Sequence, residues 1–177
     1  GDVATVSVLM HIKPLPIISQ ALRLAIMVFS LGCATHLQAV ERATFNFNPG
    51  WKLFVGDLTN AALPEFDDAT WKSVTLPRAW NEDDAFRVAI DKHTTGIAWY
   101  RKHFKLPPDA AGKKVFLEFE GVRQGGEFFV NGKHIGRHEN GAMAVGFDVT
   151  EFVKPAPAEN VVAVRTDNDW NYREKAT

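Results

Sequence analysis

The chain has 177 residues, 20 Lys+Arg against 21 Asp+Glu and a formal net charge of −1. That length suits one domain with an appendage, and the charge balance leaves no electrostatic footprint for a phosphate backbone, which argues against nucleic acid as a partner. Charged residues at 23% and aromatic residues at 11% exclude a disordered polar tail, and the single cysteine, Cys33, excludes an internal disulfide framework or a multi-cysteine metal site.

Residues 1–39 differ from the rest, with only Asp2, Lys13 and Arg23 charged. Leu24–Ala34 is an apolar run of 11 residues, preceded by basic residues and followed by Leu37-Gln38-Ala39. This is the layout of a secretory signal peptide, and it is too short to span a bilayer core, which takes about 20 residues. Met10 is the natural start, with residues 1–9 as translated upstream sequence. A buried core helix is the alternative. Gly32-Cys33 also admits a lipoprotein, but Ser30 stands where such signals usually carry Leu, so ordinary cleavage ranks first. The expected organisation is therefore 1–39 as upstream residues plus signal peptide and 40–177 as one domain. Its location would be periplasmic or extracellular, with no membrane span. Residues 40–177 contain no cysteine, so the domain must be stabilised by its core alone.

In chain order, Thr44–Phe47, Trp51–Val55 and Trp71–Leu76 are short strand candidates. Gly96–Phe104 alternates, with Ala98, Tyr100 and Phe104 on one face and Arg101 and His103 on the other. Pro107-Pro108 ends that run, since proline cannot donate to a ladder. Lys114–Glu120 places Val115, Leu117 and Phe119 on one face and Glu118 and Glu120 on the other. Asn131-Gly132, between strand-like runs, predicts a hairpin with a type I′ turn. Val161–Thr166 is the last apolar strand. No stretch sustains helical periodicity over three turns. Many short strands with Gly/Pro turns predict an all-β domain, a jelly-roll β-sandwich.

The connection Arg78–Gly96 spans 19 residues. Loops of that length in a compact domain are usually functional or disordered, and Trp80, Phe86, Val88 and Ile90 make this one too apolar for a free linker.

The acid clusters Asp67-Asp68, Glu82-Asp83-Asp84 and Glu118/Glu120 are the candidates for a glycosidase carboxyl pair. Asp67-Asp68 reads better as an Asx-capped turn, and Glu118/Glu120 as a solvated strand face. His134 and His138 stand four apart but in a hairpin, not on a helix, and lack a third ligand, so zinc is not expected. Among the tryptophans, Trp51, Trp71 and Trp99 lie in strands and read as core. Trp80 and Trp170 lie in loops and are candidates for stacking on a sugar ring.

Eight segments, in order and spacing, resemble one family: Phe47–Phe54, Phe66–Trp71, Leu76–Trp80, Gly96–Lys102, Leu117–Val122, Val130–Lys133, Phe147–Thr150 and Val162–Asn168. Together they resemble the N-terminal sugar-binding domain of glycoside hydrolase family 2, the β-galactosidase and β-glucuronidase family. The resemblance implies a galactose-binding-like jelly roll followed in the parent chain by an immunoglobulin-like domain and a TIM barrel. The barrel holds the acid/base and nucleophile glutamates, so it implies no catalytic residue here. It implies that Asp167 and Asn168 contact sugar, with the loop around Trp80, Asn81, Glu82 and Asp83 as second candidate. Two departures fall at expected rim positions: Arg78-Ala79 replaces His-Asp, and Gly141-Ala142 replaces Gly-Tyr.

The leading expectation is the accessory domain of a retaining β-galactosidase-like enzyme acting on a β-galactoside or related glycoside in carbohydrate metabolism, inactive by itself. The alternatives are a free-standing carbohydrate-binding module or lectin-like domain, and a structural interaction domain. No cofactor or metal is expected of the domain; a monovalent or divalent cation belongs, if anywhere, to the complete enzyme, which is open to being a homo-oligomer.

Overall fold

The computed structural model describes residues 7–14, 42–80, 96–122, 125–140 and 143–168. They form ten strands in two antiparallel sheets: β1 (Ser7–Pro14), β2 (Ala43–Asn46), β3 (Trp51–Val55), β4 (Lys72–Val74), β5 (Ile97–Lys105), β6 (Lys113–Gly121), β7 (Gly125–Val130), β8 (Lys133–His138), β9 (Val145–Asp148) and β10 (Glu159–Asp167). The only helical element among the described residues is the 3-10 turn Pro108–Ala110. One sheet has the order β2-β1-β6-β9 and the other β4-β3-β5-β10-β7-β8. This is the expected all-β sandwich.

Strand alternation builds the core. Successive side chains point to opposite faces, so β5 sends Ala98, Tyr100 and Phe104 between the sheets, as β10 does with Val162 and Val164. β6 answers from the other sheet with Val115, Leu117 and Phe119. Trp51, Tyr100, Leu117, Phe119 and Phe128 are fully buried. Each large apolar side chain removed from water contributes about 1.5–3 kcal/mol before entropy is counted. Phe119 stacks on Phe128 at 4.6 Å between ring centres, and Phe128 on Phe147 at 4.8 Å, which ties the two sheets together.

The hairpin forms where the sequence places it. Asn131 has φ 49° and Gly132 φ 78°, the two left-handed residues of a type I′ turn. The Asn131 side chain also fastens the hairpin to its neighbours. Its amide nitrogen donates to Phe152 O and Asn160 Oδ1, both at 2.8 Å, and its oxygen accepts from Val161 N at 2.9 Å.

Two features go beyond the sequence reading. β1 lies between β2 and β6, with Val8, Met10 and Ile12 in the core, whereas the sequence reading has no strand ahead of residue 40. On its outer face His11 Nε2 lies 2.7 Å from Glu118 Oε2, so Glu118 is paired and not merely solvated. The second feature is a strap over the outer face of the six-stranded sheet. Leu58, Ala61, Ala62 and Phe66 pack there on Trp71, Trp99 and Ala163.

Candidate functional site

One end of the sandwich holds Trp80, Asp167 and Asn168, the three described residues among those the sequence marks for sugar contact. Asp167, at the end of β10, pairs with Ile97 at the start of β5 and with Gly125 at the start of β7. The end of β3 joins them, since Gly56 N donates to Ile97 O at 2.8 Å. So does the end of β8, where His138 pairs with Gly126. The rim is thus built where strands stop, and irregular chain can expose polar groups to a ligand without breaking a ladder.

Asp167 and Asn168 sit side by side at this rim, 9% and 7% exposed. Asn168 Oδ1 accepts from Gly96 N at 2.6 Å, and Asn168 N donates to Gly96 O at 3.3 Å. Trp80 is partly buried and packs against the core. Its ring lies against Gly96, so that a Cβ built on Gly96 would be 3.7 Å from Trp80 Cη2. Among the described residues Trp80 Nε1 is buried and has no hydrogen-bond partner. Tyr100, fully buried, donates its hydroxyl to Arg78 O at 3.0 Å. The structure therefore brings Trp80, Gly96, Asp167 and Asn168 together. The other expected contacts, Asn81, Glu82, Asp83 and Trp170, lie outside the described residues, as do Gly141-Ala142.

Beside the rim runs a charged pair that the sequence reading missed. Arg165 holds Asp57 bidentately, Nε to Oδ1 at 3.0 Å and Nη2 to Oδ2 at 2.7 Å, while Trp99 Nε1 donates to Asp57 Oδ1 at 3.2 Å. The hydrogen bond from Arg165, against a smaller effect of burial, holds the Asp57 carboxyl below its ordinary value. The Arg165 guanidinium is raised first by Asp57, with help from the charges of Glu127 and Asp167. The two residues are 108 positions apart, so no local pattern signals them.

The other clusters among the described residues are structural, and Glu82-Asp83-Asp84 lies outside them. Asp67 Oδ1 accepts from Ala69 N at 2.9 Å, the expected Asx turn. Asp68 is 8% exposed and is bound by Arg101 Nε at 2.8 Å and His103 Nε2 at 3.0 Å. His134 and His138 stand on β8; His134 packs against the Phe129 ring and His138 Nε2 is 3.2 Å from Met143 O. Among the described residues no group of three or more His, Cys, Asp or Glu is placed to hold a metal ion, and no helix is long and apolar enough to cross a membrane.

Comparison with known proteins agrees with this architecture. Residues 81–177 match the family described as Glycosyl hydrolase 2 galactose-binding domain-like. A beta-glucuronidase of Formosa agariphila is 41% identical over 136 residues, 73% of this chain and 14% of that protein. A beta-galactosidase of Thermoanaerobacter pseudethanolicus is 36% identical over 127 residues, 72% of this chain and 17% of that protein. Among solved structures, a beta-glucuronidase from glycoside hydrolase family 2 superposes with TM-score 0.65 at 40% identity, covering 70% of this chain and 14% of that one. The Bacteroides uniformis beta-glucuronidase gives 0.64 at 33% identity, covering 69% and 14%. The chain thus spans about a seventh of the length of these relatives. With the sandwich and the sequence in agreement, the chain belongs to the galactose-binding-like domain family of glycosyl hydrolase family 2.

Proposed function

We propose that this chain is the sugar-side domain of a retaining glycosidase that hydrolyses O-glycosyl bonds, β-galactosidase-like in its substrate, with β-glucuronide as the competing choice. The observation that supports it is the rim, where Asp167 and Asn168 end β10 beside Trp80 and Gly96. The role would be to shape one wall of a sugar pocket and to seat the catalytic barrel of the parent chain. The barrel's paired glutamates would carry double displacement through an oxocarbenium-like transition state. Relatives of both names match at similar identity, so the sugar is a proposal on its own. Turnover of nitrophenyl β-galactoside and nitrophenyl β-glucuronide by the full-length parent tests it. Faster turnover of the galactoside is expected; preference for the glucuronide reverses the choice of sugar, and turnover of neither overturns the reading. The isolated chain is expected to turn over neither; hydrolysis that survives purification and is lost in Glu82→Gln would also overturn it.

Export to the periplasm or beyond the cell is proposed from the apolar run Leu24–Ala34 and its flanks. Cleavage after residue 39 would carry β1 away with the leader. Sequencing the amino terminus of the secreted protein is expected to find a start near Val40. A secreted chain that retains Ser7–Pro14 would refute cleavage at that site.

A further inference from the structure

The geometry points to Asn168 as a positioning residue, one that fixes the return of segment 81–95 to the sandwich instead of touching sugar itself. Segment 81–95 leaves the described structure at Trp80 and re-enters it at Gly96. Both points are held by side chains from outside the segment. Tyr100 donates to the carbonyl of Arg78, two residues before the exit, and Asn168 Oδ1 accepts from the Gly96 amide at 2.6 Å. The Trp80 ring lies against Gly96, so the last described residue before the segment meets the first one after it. A second bond, Asn168 N to Gly96 O at 3.3 Å, extends the β5–β10 pairing one residue past the ladder. The Asn168 oxygen is thereby committed to the backbone.

Functional loops work when a rigid scaffold sets where they start and stop, and fixing both ends on adjacent strands removes freedom that binding would otherwise have to remove. Gly96 has no left-handed φ, so the fastening depends on its N–H and on an acceptor at residue 168. Any consequence for sugar binding rests on the function proposed above. The fastening itself does not.

The clamp needs only an acceptor, whereas a direct sugar contact through the amide nitrogen needs a donor. Asn168→Asp keeps the first and abolishes the second; Asn168→Ala abolishes both. The 177-residue chain and both variants are compared by hydrogen exchange at the Gly96 amide and by trypsin cleavage at Arg87 and Lys92. Urea midpoints show that each variant is folded. Asn168→Ala is expected to exchange roughly fivefold faster at Gly96, the loss of about one net hydrogen bond, and to be cut faster, while Asn168→Asp stays near the wild type. Unchanged exchange in Asn168→Ala, or an Asp variant that behaves like the Ala variant, overturns the clamp. If Asn168→Ala does not fold, Asn168→Ser, with a side chain too short to span the gap, serves in its place. Calorimetry with nitrophenyl β-galactoside and nitrophenyl β-glucuronide adds a second readout. Positioning predicts weaker binding in the Ala variant and retention in the Asp variant, whereas loss in both assigns Asn168 to direct contact and overturns the proposal. A wild-type chain that binds neither glycoside counts against sugar binding by the isolated domain, and the exchange comparison still decides the clamp.

Discussion

Arg101 holds the strap on the outer face of the six-stranded sheet, and its removal has a calculable effect. Its side chain is fully buried. It donates to Asp68 Oδ2 at 2.8 Å, to the carbonyls of Leu63 at 3.0 Å and Phe66 at 3.3 Å, and to that of Ala61. One guanidinium thus satisfies one carboxylate and three backbone acceptors that turn inward as the strap crosses Trp71 and Trp99. Arg101→Met keeps most of the stem and deletes the fork. Asp68 is then left buried with His103 as its remaining partner among these contacts, and the carbonyls lose their donor. Breaking a buried pair from one side costs about 3–5 kcal/mol, a large fraction of the 5–15 kcal/mol typical of a whole domain. With an m-value of about 2 kcal/mol/M, the urea midpoint should fall by roughly 2 M. Trp71 and Trp99 lie under the strap, so fluorescence reports the transition. The double variant Arg101→Met/Asp68→Leu also removes the stranded charge and should lose less than Arg101→Met alone. A single variant within about 1 kcal/mol of wild type would refute the reasoning, as would a double variant whose loss equals the sum of its parts, because coupled partners are not additive.

Acid should weaken the same contact. Burial pushes the Asp68 carboxyl up, but the hydrogen bonds and charges of Arg101 and His103 outweigh it and leave the group below its ordinary 3.8. A carboxyl depressed in the folded state adds stability above its unfolded value and loses it as pH falls through the folded one. Unfolding free energy should therefore drop below about pH 4, with a shallower drop in Asp68→Asn; equal slopes in urea titrations would count against it. At Gly126 an added Cβ would lie 2.8 Å from Val122 Cγ1 and 3.1 Å from Phe128 Cζ, both side chains buried. Gly126→Ala should cost about 1–3 kcal/mol by overpacking, and an unchanged melting temperature would show that the site relaxes freely. Asn131→Ala puts alanine at positive φ and removes three hydrogen bonds, one of them to the fully buried Asn160. A loss of roughly 2–3 kcal/mol is expected, and denaturation of Asn131→Asp, which keeps the acceptor for Val161 N, should show partial recovery.

How much of the molecule was legible in the sequence depended on distance along the chain. The face pattern of β5 could be read directly, because a strand repeats every two residues and Ala98, Tyr100 and Phe104 obey that period. The Asn131-Gly132 turn was equally plain, since few residue pairs accept two positive φ angles. Asp67 announced its Asx turn within three residues. β1 was hidden for a different reason. Val8, Met10 and Ile12 do alternate, but they stand ahead of an apolar run that reads as a leader, and composition alone cannot tell which segment will fill a sheet position. Arg101 looked like the polar face of a strand; only the strap folding back over it makes it buried.

The sequence by itself determined the all-β class, the hairpin, the sorting of Trp51, Trp71 and Trp99 into packed positions, and a family likeness carried by eight short motifs. All of these rest on local stereochemistry or on residues in register along the chain. The tertiary structure decided which loops meet at one end of the sandwich, that Arg165 reaches back to Asp57, and that Asn168 holds Gly96 across 72 positions. Those pairings follow from strand order, and strand order is set by how two sheets share one core, a property of the whole chain that no short segment carries.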